Sequence, residues 1–169
     1  MKETTRNARS ASKKTSIGWR EVITLPDLGI ADVVAKIDTG ARTSAIHATH
    51  VVPFRRDGAD WVRFHIPHSS GLRARDVEAP LLGERPIKNT SGIHEDRLVI
   101  ETALVLGRRR WRIEVSLANR TRMALPVILG RTAIRRHKIL VDPGRSFLLG
   151  KPPHGAAKRR SSAAATSDS

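Results

Sequence analysis

The sequence predicts an all-β fold: a small closed or orthogonally packed β-barrel with one short helix. Three observations support this prediction. Short apolar segments rich in β-branched residues recur at close spacing along the 169 residues. Turn-forming pairs such as Asp57-Gly58 and Pro143-Gly144 separate these segments. The third observation is that one stretch alone, Thr132 to Arg136, reads as helical, and it is short.

The chain length suits one domain with tails. Residues 1–16 and 151–169 are rich in Ser, Ala, Thr, Lys and Arg, and they lack large apolar side chains other than Met1. Such segments bury too little surface to offset the entropy of ordering, so both are predicted to be disordered basic tails. The folded domain is therefore predicted to span residues 17–150.

The chain is strongly basic, with 31 Lys and Arg against 16 Asp and Glu and a formal net charge of +15. The two tails carry +4 and +3, so the remaining +8 lies in the middle. A basic folded part favours an acidic partner: an acidic peptide, nucleic acid or an anionic surface. Nucleic acid is disfavoured, because three Trp, three Phe and no Tyr leave few side chains for base stacking.

The chain has no cysteine, which excludes disulfides and thiolate metal sites and suits a reducing cytoplasm. No apolar run approaches the length of a membrane span, and residues 1–16 lack the apolar region of a secretory signal. These features predict a cytoplasmic protein without a membrane partner.

In the first third, Trp19 to Leu25 and Leu28 to Ile37 read as strands, and Ser44 to His47 as an extended segment. The second strand ends abruptly at Asp38, which Thr39 and Gly40 follow. A carboxylate at the end of a buried strand, before a hydroxyl and a glycine, suits the floor of a cleft, so Asp38 is the predicted catalytic residue. An ordinary Asp-Thr-Gly turn is the alternative.

In the middle third, Trp61 to Ile66 alternates cleanly between apolar and polar residues, as a half-buried strand does. Residues 67–84 contain two prolines and two glycines and are predicted to be an irregular surface insertion. Ile87 to Arg97 joins two strands through a polar tip. The following hairpin pairs Leu98 to Leu106 with Arg110 to Leu117.

In the last third, Val127 to Leu129 reads as a short buried strand that Gly130 stops, with the short helix behind it. Two further strands, Ile139 to Val141 and Phe147 to Leu149, flank residues 142–145. Pro143 and Gly144 at the central positions predict a type II turn there.

Several motifs taken together resemble one family. They are Ile17-Gly18-Trp19-Arg20-Glu21, Leu25-Pro26-Asp27-Leu28-Gly29, Lys36-Ile37-Asp38-Thr39-Gly40-Ala41-Arg42-Thr43-Ser44-Ala45-Ile46-His47-Ala48, Leu129-Gly130-Arg131 and Val141-Asp142-Pro143-Gly144-Arg145-Ser146. The chain resembles the bacterial retropepsin-like aspartic proteases, which are often labelled "ATP-dependent zinc protease" and are associated with ribosomal-protein glutamate-ligase systems. The resemblance runs from about Ile17 to Gly150.

Aspartic-protease chemistry uses two carboxylates that share one proton, one acting as base on a water and the other as acid. The sequence has one Asp-Thr-Gly, and its other acidic residues lie in no second such motif. The resemblance therefore implies a two-fold homodimer that brings Asp38 onto its symmetry mate.

The resemblance also implies roles for other residues. Thr39, Gly40 and Ala41 would support the catalytic loop. Ile128, Leu129, Gly130 and Arg131 would pack beside it, with Arg131 bracing the interface or the turn. The segment from Ile87 to Arg97 would be the flap. The predicted substrate contacts are Arg42, Lys88, Ser91, Gly92 and Arg97.

Arg42 replaces the acid that viral retropepsins carry two residues after Asp-Thr-Gly, and a cation there favours an acidic substrate. A surface arginine in a loop is the alternative interpretation. We therefore expect an aspartic endopeptidase that trims acidic or glutamate-rich protein tails, of which a glutamylated ribosomal protein is one example. A catalytically inactive or binding-only basic β-barrel, holding an acidic protein or RNA, is the rival hypothesis.

Metal and nucleotide sites have weak support. The histidine pairs His47/His50 and His65/His68 lie three residues apart, but no His-Glu-x-x-His is present. No Walker-type phosphate loop is present either. The sequence therefore predicts no metal and no cofactor.

Overall fold

The computed structural model describes residues 14–69, 71–88 and 92–151. Within these ranges the chain forms eleven strands, a 3-10 turn at Pro26–Leu28 and the helix α1 at Arg131–Ile134. The all-β class with one short helix is therefore confirmed. The strands are β1 (Thr15–Gly18), β2 (Arg20–Leu25), β3 (Ile30–Asp38), β4 (Ser44–His47), β5 (Thr49–Arg56), β6 (Ala59–Ile66), β7 (Arg75–Lys88), β8 (His94–Leu106), β9 (Arg109–Ala118), β10 (Val127–Gly130) and β11 (Ile139–Asp142).

Nine strands form one sheet in the order β2-β3-β10-β4-β9-β8-β7-β6-β5. A further pairing joins β2 to β8, through Ile23 opposite Leu106 and Thr24 opposite Val105. This short pairing brings β2 next to β8, so the six strands from β2 to β8 in the sheet order curve toward a barrel. The barrel is only partly closed, because just two residue pairs join β2 to β8 and because β7, β6 and β5 extend beyond this pairing.

The core follows from strict alternation along the strands. Val62, Phe64 and Ile66 of β6 are buried, as the sequence pattern predicts. In the central strands β3 and β10, the inward residues are Ala35, Ile37, Val127 and Leu129. The residues between them face the other side of the sheet, and that side carries the candidate site.

Strand β1 crosses the predicted boundary at residue 17. Strand β1 starts at Thr15 and pairs in parallel with β11, Thr15 lying opposite Ile139 and Gly18 opposite Asp142. Ile17 is fully buried, so it anchors this pair to the core. The rest of the predicted N-terminal tail, and the predicted C-terminal tail beyond Lys151, lie outside the described residues.

A buried carboxylate ties the two ends of the domain together. Glu21 has no exposed surface, and its oxygens accept backbone N–H groups of Gly18 at 2.6 Å, Leu148 at 2.9 Å and Leu149 at 3.3 Å. The strand predicted at Phe147 to Leu149 is therefore wrong. The N–H of Phe147 still donates to the carbonyl of Arg20 in β2 at 2.9 Å. The pairing goes no further, because the next two N–H groups serve Glu21, and Phe147 has a positive φ of 58°.

The type II turn predicted at residues 142–145 is also wrong. Such a turn needs a positive φ at its third residue, and Gly144 is not among the positive-φ residues. The Asp142 carboxylate stabilises the turn instead, because its Oδ1 accepts the N–H of Gly144 at 2.9 Å.

The surface insertion predicted at residues 67–84 is wrong from residue 75 onward. Strand β7 begins at Arg75 and pairs with β6 and then with β8. Pro80 and Gly83 suggested irregular chain, but the strand absorbs them: Pro80 is exposed opposite Trp61, and the register shifts between Leu81 and Gly83.

None of the helices in the described ranges is long and apolar enough to cross a membrane.

Candidate functional site

Asp38 is the last residue of β3, and it lies opposite Gly130 of β10 in parallel register. Its carboxylate is held on both oxygens. Oδ1 accepts the backbone N–H of Ala41 at 3.2 Å, and Oδ2 lies 3.4 Å from the ammonium of Lys36. The carboxylate side chain is 30% exposed, so it is fixed by the turn and still open to solvent.

Arg131 braces the turn that follows Asp38. Its backbone N–H donates to the carbonyl of Ala41 at 2.9 Å. Its guanidinium donates to the carbonyls of Gly40 at 3.1 Å and Thr39 at 3.4 Å. One side chain, 92 residues away in sequence, thus binds two successive peptide groups of the Asp-Thr-Gly turn.

The next residue along α1 fixes the loop further on. Thr132 donates both its backbone N–H, at 3.1 Å, and its hydroxyl, at 2.8 Å, to the carbonyl of Arg42. The loop carbonyls from Thr39 to Arg42 are therefore taken up by the start of α1. This fixes the loop backbone close to the position from which the carboxylate projects.

Ser44 joins the loop to three strands in a buried network. Its hydroxyl accepts the N–H of Gly130 at 3.1 Å, and its carbonyl accepts the hydroxyl of Ser116 at 3.1 Å. Ser44 and Ser116 are both buried. Since a buried polar group left without a partner is costly, these bonds fix β10, β4 and β9 relative to one another.

Gly130 lies where no side chain fits. A Cβ at this position would come within 2.6 Å of the carbonyl carbon of Thr43 and 2.8 Å of the oxygens of Arg42 and Thr43. These are backbone atoms, and the Arg42 oxygen among them already accepts two hydrogen bonds from Thr132. The glycine is therefore required by a close backbone approach, not by its φ.

We expect Gly130→Ala to destabilise the fold by about 2 kcal/mol and to displace the Asp38 loop, because the added methyl overpacks a fixed backbone contact. Urea unfolding measures the change in the free energy of unfolding. Gly144→Ala is the matched control: its Cβ would meet the Asp142 carboxylate at 3.4 Å, an ordinary contact. Equal stabilities for the two variants would contradict the close approach at Gly130.

The face of the sheet that carries Asp38 has its own small apolar cluster. Ala45, Ala118 and Ile128 are buried together, apart from the main core, and Ala41 packs against them. They come from three adjacent strands and the loop after Asp38. We call Ala41, Ala45, Ala118 and Ile128 the alanine floor.

Arg120 interacts electrostatically with the Asp38 carboxylate. Burial and the neighbouring Arg97 lower the pKa of the Arg120 guanidinium, and the Asp38 carboxylate opposes that shift. The backbone N–H of Arg120 donates to Nδ1 of the buried His47 at 2.9 Å. The site therefore combines one held carboxylate with two nearby cations, Lys36 and Arg120.

The structure brings some predicted residues together. Thr39, Gly40 and Ala41 form the turn after Asp38. Gly130 pairs with Asp38, and the Arg131 guanidinium donates to the carbonyl of Gly40. Ile128 and Leu129 are buried on opposite faces, Ile128 in the alanine floor and Leu129 in the main core. Arg42 is exposed, and its backbone carbonyl is the atom that Thr132 binds.

The predicted flap is the hairpin of β7 and β8. Lys88 lies opposite His94 near its tip, and Lys88 and Gly92 are both exposed. Arg97 lies on β8, pairs with Glu95 through two bonds of 2.8 and 3.0 Å, and keeps only 15% of its side chain exposed. Ser91 lies outside the described residues.

Sequence reasoning missed Lys36, Ser44 and Arg120 as members of the site. Lys36 had a signal, because residues two apart on a strand share a face. Ser44 stands in the motif that carries Asp38, but nothing marked its hydroxyl as a bond across to β10. Arg120 had no signal, since its proximity to Asp38 depends on how the strands assemble.

The histidines do not converge. His47 serves the Arg120 backbone, whereas His65 pairs with Asp76 at 2.8 Å and lies 6.1 Å from the ring of His50. Within the described ranges, no group of three or more His, Cys, Asp or Glu side chains is placed to hold a metal ion. The described residues therefore do not fit the zinc ion that the label "ATP-dependent zinc protease" implies.

The chain is similar to known proteins over most of its length. A family model described as "Retropepsin-like aspartic endopeptidase RimB" matches residues 16–152. A probable α-L-glutamate ligase of Parasynechococcus marenigrum is 42% identical over 141 residues, which are 82% of this chain and 30% of that protein. A second, from Shewanella pealeana, is 40% identical over 144 residues, covering 83% and 31%.

The chain thus spans about a third of the length of these curated relatives. Among solved structures, a Legionella pneumophila protein of unknown function is similar over 81% of this chain and 99% of its own, with 30% identity and a TM-score of 0.68.

Proposed function

Because the chain belongs to the RimB-like family of retropepsin-like aspartic endopeptidases, we propose that it hydrolyses peptide bonds with Asp38. It acts as a homodimer that contributes one aspartate per chain. The observation that carries this proposal is the locked turn, in which Ala41 holds the Asp38 carboxylate and Arg131 binds the carbonyls of Thr39 and Gly40.

The need for a second chain follows from the chemistry. Hydrolysis by the aspartic-protease mechanism requires two carboxylates close enough to share a proton, so that the pair titrates as a unit. In the described part of the chain, the side-chain bonds of Asp38 go to Lys36 and Ala41, and neither supplies a second carboxylate. A two-fold axis beside the turn supplies it from an identical chain.

In that dimer, one Asp38 removes a proton from the attacking water, and its symmetry mate protonates the carbonyl oxygen of the scissile bond. The braced turn contributes by holding the carboxylate before the substrate arrives. Preorganisation of this kind avoids the cost of moving a charged group during the reaction.

The proposed substrates are acidic, glutamate-rich protein tails. The exposed cation at Arg42 and the cations near Asp38 favour negatively charged side chains. The relatives' name, probable α-L-glutamate ligase, concerns addition of glutamate, and an endopeptidase catalyses the reverse type of reaction, removal. A glutamylated ribosomal protein is one substrate of this class.

We expect purified protein to shorten a carrier protein that ends in six glutamates, and to leave the same carrier with six glutamines largely intact. Intact-mass spectrometry reads the products directly. Cleavage of the glutamate tail supports an endopeptidase of acidic substrates. Tight binding of that tail without cleavage would favour the rival function instead, a basic β-protein that holds acidic partners.

A further inference from the structure

The alanine floor and the Asp38 carboxylate lie on one face of the sheet, next to the start of the loop after β9. Asp38, Ala45 and Ile128 alternate with core residues along their strands, so they point away from the core. Ala118 ends β9 on the same face, and Arg120 follows two residues later. An extended substrate that runs from Asp38 across the alanine floor is therefore directed toward the loop that holds Arg120.

Arg120 is held in place by its backbone, while part of its side chain lacks a partner. Its N–H is bonded to His47. Its Nε atom is buried and has no hydrogen-bond partner among the described residues. A buried donor without an acceptor costs free energy, so the described chain leaves the hydrogen bonding of the Arg120 guanidinium incomplete.

Arg97 and Arg120 influence each other electrostatically, but their charges are balanced differently. Arg97 is bonded twice to Glu95 on its own strand. Among the described residues Arg120 forms no such bond to an acid, and the carboxylate that acts on it is Asp38. Arg120 is thus a cation beside the site whose charge remains available to a ligand.

We propose that Arg120 is the receptor for a substrate side-chain carboxylate at a position next to the scissile bond. This inference rests on the proposed function and names its specificity-determining residue. The guanidinium is planar and presents paired N–H donors to a carboxylate. The short side chains of the alanine floor suit the methylene stem of a glutamate. Arg42, by contrast, is exposed and more strongly screened by salt.

The test compares Arg120→Met with the wild-type chain on two peptides that differ only in glutamate or glutamine beside the cleaved bond. We expect kcat/KM for the glutamate peptide to fall about 10- to 100-fold, the range for one charge-assisted hydrogen bond, and that for the glutamine peptide to change about threefold or less. Arg120→Lys should retain part of the preference for glutamate, because lysine keeps the positive charge but lacks the paired, planar donors of the guanidinium.

Arg122→Met is the matched control, since Arg122 is an exposed arginine on the same loop. Arg122→Met should leave kcat/KM for both peptides near the wild-type values. An equal loss on both peptides, or no loss with Arg120→Met, would overturn the assignment, because a merely structural arginine would not change the choice between glutamate and glutamine.

A binding measurement separates this proposal from the proposed function. Calorimetry with the Asp38→Asn chain and a hexaglutamate peptide requires no catalysis. Weaker binding after Arg120→Met, even if no chain cleaves, would support the receptor and refute the peptidase. Cleavage that is indifferent to Arg120 would support the peptidase and refute the receptor.

Discussion

Asp38→Asn is expected to lower the rate of tail cleavage by at least about a thousandfold while leaving the fold intact. The amide oxygen can still accept the N–H of Ala41, so the turn keeps its bond. It cannot take a proton from water or pass one to the substrate. The ion pair with Lys36 is lost, but an exposed pair of this kind contributes at most about 1 kcal/mol to stability.

Asp57→Asn is the control for this substitution. Asp57 is exposed in the β5–β6 hairpin turn with a φ of 49°, a conformation that asparagine also adopts readily. This variant should cleave at the wild-type rate. Product formation by mass spectrometry at several enzyme concentrations gives both rates. Equal activity of Asp38→Asn and the wild-type chain would remove Asp38 from the mechanism.

The same variant tests the homodimer. When wild-type chains are mixed with a ninefold excess of Asp38→Asn chains, random pairing leaves about a tenth of the wild-type chains in intact dimers. Activity per wild-type chain should therefore fall about tenfold, with substrate kept in large molar excess over both chains. Unchanged activity would mean that one chain suffices.

Glu21→Ala is expected to lower the free energy of unfolding by about 3–5 kcal/mol, the largest effect on stability that we foresee. The carboxylate is fully buried and accepts three backbone N–H groups, from Gly18, Leu148 and Leu149. Removing it leaves those donors without acceptors and detaches the C-terminal segment from β1 and β2. Urea unfolding followed by tryptophan fluorescence measures the loss.

Two further variants serve as references for this prediction. Glu21→Gln keeps one acceptor oxygen and the side-chain volume, so its stability should lie between the wild-type and alanine values. Glu84→Ala removes an exposed glutamate from β7, and a surface change of this kind should stay within about 0.5 kcal/mol. A loss for Glu21→Ala no larger than that for Glu84→Ala would contradict the structural role of Glu21.

Local pattern predicted those parts of the fold in which neighbouring residues determine the structure. The alternation in β6 and β9 and the strand that ends at Asp38 follow from side-chain periodicity. Strand β7 was hidden, because Pro80 and Gly83 usually interrupt strands. Its partners β6 and β8 tolerate both residues, one as an exposed position and one at a register shift.

The candidate site was only partly accessible to sequence reasoning. Asp38 and its turn stand in one continuous motif, and Gly130 and Arg131 entered through the family resemblance. The bonds that Arg131 makes to the turn, and the proximity of Arg120 to Asp38, depend on strands far apart in the chain. No short-range pattern encodes such contacts.

The parallel pairing of Asp38 with Gly130 has a consequence for the order of events during folding. Residues that must meet across about 90 positions of chain form their contacts late, since closing such a loop costs entropy before any contact is gained. A nascent chain that has exposed only its Asp-Thr-Gly segment lacks the arginine that braces it. Under the proposed function, competence to cut protein should therefore arise only after the last third of the domain has been synthesised, which would protect the chain that is still being made.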